Sequence, residues 1–72
     1  MRLIRTELTP DGSVIAAKVY RNADWNEYVV KPLDGQGSVL PEECWDYVDT
    51  KVEALQQSAF YAKIAQDLRE QG

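Results

Sequence analysis

Residues 2–33 read RLIRTELTPDGSVIAAKVYRNADWNEYVVKPL, and this stretch decides the fold. Residues 10–13, PDGS, are typical of a turn, because proline presets φ at the second turn position and glycine supplies a positive φ. Apolar and polar residues alternate on both sides of this turn. Two alternating segments joined by such a turn predict a β-hairpin, with strands at about residues 2–9 and 13–21.

A third strand follows after a second group of turn-forming residues at 22–26. Residues 27–33 alternate again, and Pro32 suits the close of a strand because proline cannot donate a ladder hydrogen bond. The Asp-Gly pair that opens residues 34–38 then indicates a loop. The first half of the chain therefore predicts a three-stranded antiparallel meander.

Residues 39–72 allow two interpretations. In the first, Pro41 opens a helix and the acidic residues behind it match the positive end of the helix dipole. In the second, residues 44–48 form a short fourth strand, and a helix over about residues 50–70 begins at Asp49 or Thr50. The second is supported by a capping box, in which the Thr50 hydroxyl accepts from the Glu53 N–H and the Glu53 side chain reaches back.

Length favours the second interpretation, although the first stays open. A helix over residues 41–69 would be about 43 Å long, whereas the strands would be about 28 Å. A helix over residues 50–70 is about 31 Å and matches the sheet. The predicted class is therefore α+β, a three- or four-stranded antiparallel meander packed against one long C-terminal helix in a single domain, residues 1–72.

The predicted helix has two apolar sides at 100° per residue. One side, expected to face the sheet, holds Val52, Leu55, Ala59 and Ala62. The other holds the candidate dimer face, Phe60, Tyr61, Ile64 and Leu68. A helix lying on a sheet needs only one apolar stripe, so the second stripe needs loops, solvent, a second copy or another protein.

The composition limits how the chain is stabilised. It has 72 residues, no histidine and a single cysteine, Cys44, so an internal disulfide and the usual zinc ligand sets are excluded. A domain this small has a thin stability margin, so tight helix-on-sheet packing or self-association must take the place of those cross-links.

The same composition disfavours an enzyme. Histidine is the commonest acid–base group, and without it a Ser-His-Asp triad is impossible. Cys44 follows Glu43 and precedes Asp46, and negative neighbours disfavour a thiolate. We expect no catalytic residue, no metal site and no cofactor.

The negative charge is concentrated in the second half of the chain. Residues 1–33 hold five Lys or Arg against four Asp or Glu, and residues 34–72 hold three against eight. One run places five carboxylates within 12 residues: Glu42, Glu43, Asp46, Asp49 and Glu53. Such an array is either a solvated face or an imitation of a phosphate backbone that binds a basic groove. Direct binding of nucleic acid is disfavoured.

Aromatic and basic residues interleave on the second hairpin. Trp25 and Tyr28 either pair across the hairpin or contact a partner, and Trp45 follows the acidic run. Tryptophan, tyrosine and arginine are the usual hot-spot residues of protein interfaces. Trp25, Tyr28 and Trp45 are therefore the candidate aromatic anchors.

The sequence also carries a resemblance. The pattern Y-R-x-x-x-W-N-E-Y-x-V-K at residues 20–31, with Leu40-Pro41-Glu42 and Asp46-Tyr47, resembles a largely uncharacterised group of small acidic proteins from phages and mobile elements. The resemblance covers about residues 3–60 and implies a strand at Asp46-Tyr47. This sequence departs from the pattern around Cys44 and in the long C-terminal helix. Size and charge are also similar to those of anti-CRISPR inhibitors, which phages use against host defence.

Two functional hypotheses follow. The first is a non-enzymatic protein-binding module, a phage-encoded inhibitor of a host defence complex whose acidic surface competes with nucleic acid. The alternative is a homodimeric structural or regulatory protein that uses the second apolar side of its helix. With no apolar run of 18 residues and one free cysteine, we expect no membrane association and a cytoplasmic location.

Overall fold

The computed structural model describes residues 1–71, which form a four-stranded antiparallel sheet with one long helix across it. The strands are β1 (Arg2–Leu8), β2 (Ile15–Asn22), β3 (Glu27–Pro32) and β4 (Asp46–Val48), and the helix is α1 (Lys51–Gln71). Spatial order follows chain order, so the sheet is a meander. The predicted α+β architecture is confirmed.

The turn between β1 and β2 is built around Asp11. Its Oδ1 accepts hydrogen bonds from the hydroxyls of Thr9 and Ser13, both at 2.7 Å, and from the Ser13 N–H at 3.0 Å. Gly12 takes the positive φ of 75° that the turn requires. Because Ser13 belongs to this turn, β2 begins at Ile15 rather than at residue 13.

The far end of α1 is tied to this same turn. Arg69 Nη1 donates to Asp11 Oδ2 at 3.1 Å and also contacts the Ser13 hydroxyl. Hydrogen bonds from Ser13 and Thr9, with the charge of Arg69 adding, hold the pKa of Asp11 far below its ordinary value. This contact joins the C-terminal end of α1 to the turn between β1 and β2.

Residues 41–49 follow the second interpretation. Residues Glu42–Cys44 form a single 3-10 turn, and β4 then pairs with β3, placing Asp46 opposite Val30 and Val48 opposite Tyr28. The strand begins at Asp46, two residues later than the earliest predicted start. Thr50 caps the helix, since its hydroxyl accepts from the Glu53 N–H at 3.2 Å and donates to Glu53 Oε1 at 2.9 Å.

Small side chains bring α1 close to the sheet. The core cluster consists of Ala17, Val19, Val30 and Ala54. Ser58 and Ala62 are also buried on the sheet-facing side of the helix. The sequence placed Val52 and Ala59 on this side, and that placement is wrong, because both are exposed. Alanine and serine carry little hydrophobic signal, so the sequence pattern does not reveal which side of α1 faces the sheet.

The other face of the sheet is not covered by α1. Tyr20, Val29 and Tyr47 lie opposite one another across β2, β3 and β4 on this face. The Lys31 ammonium lies 4.4 Å from the centre of the Tyr20 ring and 4.1 Å from that of Trp45. Cation–π contact of this kind joins the loop before β4 to the strands beside it.

Candidate partner-binding surfaces

Four carboxylates surround β4, the edge strand of the sheet. All four are exposed, and they are Glu42, Glu43, Asp49 and Glu53, called here the acidic edge. Glu42 and Glu43 lie in the 3-10 turn before β4, Asp49 follows β4, and Glu53 lies in the first turn of α1. The helix cap holds Glu53 in place, so the group is carried by ordered backbone.

The carboxylates of the acidic edge form no ion pair within residues 1–71, and Lys51 is the one basic residue in the run from 42 to 53. Among residues 1–71 the ion pairs are Arg5–Glu7, Lys63–Asp67 and Arg69–Asp11, and none of them involves the acidic edge. Clustered like charges set up a local potential that attracts a basic surface and repels polyanions. Four exposed carboxylates against a single lysine in residues 42–53 make this edge a negatively charged surface.

Asp46, the fifth carboxylate of the acidic run, lies apart from that surface. It is half-buried on the side of the sheet that faces α1, and its Oδ2 accepts a hydrogen bond from the Tyr61 hydroxyl at 2.5 Å. Burial raises the pKa of Tyr61, and the bond to Asp46 raises it further. Asp46 and Tyr61 thus join β4 to α1, a structural role that their 15-residue separation hid in the sequence.

The three candidate aromatic anchors do not come together. Trp25 is 75% exposed in the turn between β2 and β3. Tyr28 is half-buried against the core, with the Arg21 guanidinium 4.8 Å from its ring centre. Trp45 packs on Lys31 and donates its indole N–H to the Leu40 carbonyl at 2.8 Å. The expected pairing of Trp25 with Tyr28 is not among the aromatic contacts of residues 1–71.

Tyr47 is an aromatic residue that the sequence interpretation missed. It is 49% exposed on β4 and points to the face that α1 leaves uncovered. Partial burial raises its pKa, and the negative charges of Glu42 and Glu27 raise it further, which places the phenol beside the acidic edge. The alternation of Asp46, Tyr47 and Val48 would have identified it as the outward residue of β4.

The outward side of α1 exposes three large apolar residues. These residues, called here the outward strip, are Phe60 (57% exposed), Ile64 (38%) and Leu68 (62%). Tyr61, the fourth residue of the candidate dimer face, is half-buried and lies at its inner margin.

A groove of about 460 Å³ lies beside the outward strip, between the second half of α1 and one end of the sheet. Its walls include Tyr61, Ile64 and Leu68 from the helix and Val14, Leu33 and Leu40 from the sheet end. The groove and the outward strip form one continuous apolar region.

No protein-family model, curated protein or solved structure matches this chain. Within residues 1–71, no helix is long and apolar enough to span a membrane, and no three His, Cys, Asp or Glu side chains converge as metal ligands. Cys44 is free and exposed. The two surfaces that remain for a functional interpretation are the acidic edge and the outward strip.

Proposed function

We propose that this chain is a non-enzymatic protein-binding module whose acidic edge binds a basic groove of a nucleic-acid-binding protein. The observation that carries this proposal is the set of four exposed carboxylates around β4, none of which takes part in an ion pair within residues 1–71. In this role the chain competes with nucleic acid for the groove. Acting so on a host defence complex in the cytoplasm, it would be an anti-CRISPR-like inhibitor encoded by a phage.

Electrostatics give this surface its selectivity. Carboxylates held on an ordered edge present negative charges to a groove lined with Lys and Arg, as phosphates do, and this speeds association and rejects acidic surfaces. Exposed charges are screened by salt over about 8 Å at physiological ionic strength. Binding that depends on the acidic edge should therefore weaken strongly as salt is raised.

Aromatic side chains next to the carboxylates supply contact area. Tyr47 and Trp45 lie in and just before β4, and Glu42 is close enough to Tyr47 to shift its pKa. Guanidinium groups stack on aromatic rings and bind carboxylates through two hydrogen bonds. The combination suits an arginine-rich surface better than a lysine-rich one.

Capture from a bacterial host lysate tests the proposal. The immobilised chain should retain a nucleic-acid-binding protein, and excess single-stranded RNA or DNA should displace that protein. The double variant Glu42→Lys/Glu43→Lys should reduce capture by about tenfold or more, because each reversed charge opposes the basic groove.

A matched control separates the acidic edge from net charge. Asp24→Lys/Glu70→Lys makes the same change in total charge at exposed sites outside the acidic edge. It should retain capture. Equal loss in both double variants, or capture that nucleic acid does not displace, would show that the proposal is wrong.

A further inference from the structure

The outward strip exposes three large apolar side chains of α1, whereas Leu55 and Tyr61 of the same helix are half-buried. The largest fully buried side chains in the described chain are Val19, Val29, Val30 and Ser58. Phe60, Ile64 and Leu68 remain at the surface and continue into the groove beside them. A contiguous apolar region on a small domain marks an interaction surface.

We propose that a second copy of this chain covers the outward strip and the mouth of the groove. The two α1 helices pack antiparallel about a two-fold axis near Ile64 and Ala65. In a two-fold interface every contact occurs twice, so Phe60 of each copy meets Leu68 of the other.

Charge complementarity argues for a second copy rather than an unrelated helix. Lys63 and Asp67 flank the outward strip, both largely exposed, and their charged atoms are 3.9 Å apart within one helix. An antiparallel arrangement centred near residue 65 places Lys63 opposite Asp67 of the other copy, and Asp67 opposite Lys63. Each copy thus supplies the lysine of one ion pair and the aspartate of the other, as an interface with two-fold symmetry requires.

Dimerisation also provides the stabilisation that this domain lacks. The chain has one cysteine and no histidine, and its fully buried apolar side chains are valines and alanines. Binding to the folded state alone raises apparent stability, and the gain grows with protein concentration. A second copy therefore replaces the missing disulfide or metal.

The arrangement leaves both acidic edges accessible, because they lie at the other end of α1. At about 1.5 Å per residue, each helix start lies about 22 Å from the axis, so the two acidic edges are about 44 Å apart. Two separated copies of one binding surface allow avidity toward a partner with two basic grooves. Only this consequence rests on the proposed function; the dimer itself does not.

Light scattering and sedimentation on the purified full chain test the dimer. The wild type should approach twice its 8.2 kDa mass as concentration rises toward about 1 mM. Phe60→Asp should weaken association by about tenfold or more, because it places a charge in an apolar interface. Val52→Asp, on an exposed apolar residue of the same helix outside the outward strip, should leave association unchanged.

Charge exchange tests the two-fold register. Lys63→Glu should weaken the dimer, and Lys63→Glu/Asp67→Lys should restore it, because both symmetric pairs are rebuilt with reversed sign. Circular dichroism confirms that each variant is folded. A monomer at about 1 mM, a dimer indifferent to Phe60→Asp, or no restoration in the double variant would each overturn the proposal.

Capture from a host lysate distinguishes a second copy of this chain from a different protein as the occupant of the outward strip. If the pure chain stays monomeric while Phe60→Asp abolishes capture of a host protein, the outward strip binds a different protein and the dimer is wrong. If Glu42→Lys/Glu43→Lys loses capture but still dimerises, that result concerns the role of the acidic edge and leaves the dimer proposal unaffected. The two proposals can therefore fail independently.

Discussion

The two sides of α1 invert the usual distribution of side-chain sizes. The sheet-facing side buries Ala54, Ser58 and Ala62, whereas the outward side exposes Phe60 and Leu68. Large apolar residues ordinarily lie inside, because burying one stabilises the fold by about 1.5–3 kcal/mol. Here the buried positions of the inner side are small residues that allow a close approach between helix and sheet, and the larger Leu55 and Tyr61 are half-buried beside them.

The difference shows that the two sides meet different constraints. The inner side is limited by volume, since Ala54 packs directly against Ala17, Val19 and Val30. The outward side is free of that limit and carries apolar area that the monomer does not use. Substitutions that enlarge a side chain should therefore destabilise the fold on the inner side and change its stability little on the outward side.

The largest expected effect comes from enlarging the inner side. Ala54→Leu adds three carbons to a fully buried site and should reduce the free energy of unfolding by about 1–3 kcal/mol. Ala59→Leu makes the same change at an exposed site of the same helix and should shift it by no more than about 0.5 kcal/mol. Urea denaturation measures both. Equal destabilisation would remove the distinction between the two sides.

Much of the fold could be predicted from local chemistry. The PDGS turn, the alternating segments and the Thr50–Glu53 cap each act within a few residues, so the meander and the helix start were visible in the sequence. The helix phase was not, because Ala54 and Ser58 give no strong hydrophobic signal although both are fully buried.

The surfaces were less predictable than the fold. The bond between Tyr61 and Asp46 joins residues far apart in the chain and removes both from the surfaces to which the sequence assigned them. Lys31 of β3 meets Tyr20 because β3 pairs with β2, and it meets Trp45 because β4, which follows Trp45, pairs with β3. Such contacts depend on tertiary placement, which no spacing rule supplies.

The second expected effect concerns Tyr61, which lies at the margin between the two sides. Tyr61→Phe removes the hydroxyl that donates to Asp46 and should reduce the free energy of unfolding by about 1.5 kcal/mol, as for a bond to a charged group. Tyr47→Phe, which removes an exposed hydroxyl, should change it by less than about 0.5 kcal/mol. Thermal and urea denaturation of the pair would decide. If Tyr61→Phe left the free energy of unfolding unchanged, the Tyr61 hydroxyl would not contribute to holding α1 against β4.

The third expected effect concerns the helix cap at Thr50, which sets the residue at which α1 begins. Thr50→Ala removes the acceptor of the Glu53 N–H and should cost about 1 kcal/mol. Thr50→Ser keeps the hydroxyl and should recover most of that loss. Urea midpoints, with helical circular dichroism, measure the difference. Indistinguishable Ala and Ser variants would mean that packing alone fixes the helix start.

The smallest expected effect on stability concerns the hydrogen bond between Ser58, on the inner side of α1, and Glu7 of β1. Glu7 Oε1 accepts from Arg5 Nε at 2.7 Å and from the buried Ser58 hydroxyl at 2.9 Å. The hydrogen bond from Arg5, aided by that from Ser58, lowers the pKa of Glu7 despite its partial burial. Ionised Glu7 therefore stabilises the fold above the ordinary glutamate pKa of about 4, and this contribution is lost as pH falls through the lowered value.

Glu7→Gln should accordingly be less stable than wild type near neutral pH, and the difference should shrink as the solution is acidified below about pH 4. Part of the acid sensitivity should remain. Asp11 and Asp34 also have lowered pKa values, caused first by hydrogen bonds from the Ser13 side chain and the Ser38 N–H respectively. Urea denaturation across this pH range, with Glu43→Gln as the exposed control, measures the effect. The charge on Glu7 would not matter at Ser58 if wild type and Glu7→Gln differed in free energy of unfolding by the same amount at every pH. Side-chain volume alone would then govern the inner side of α1.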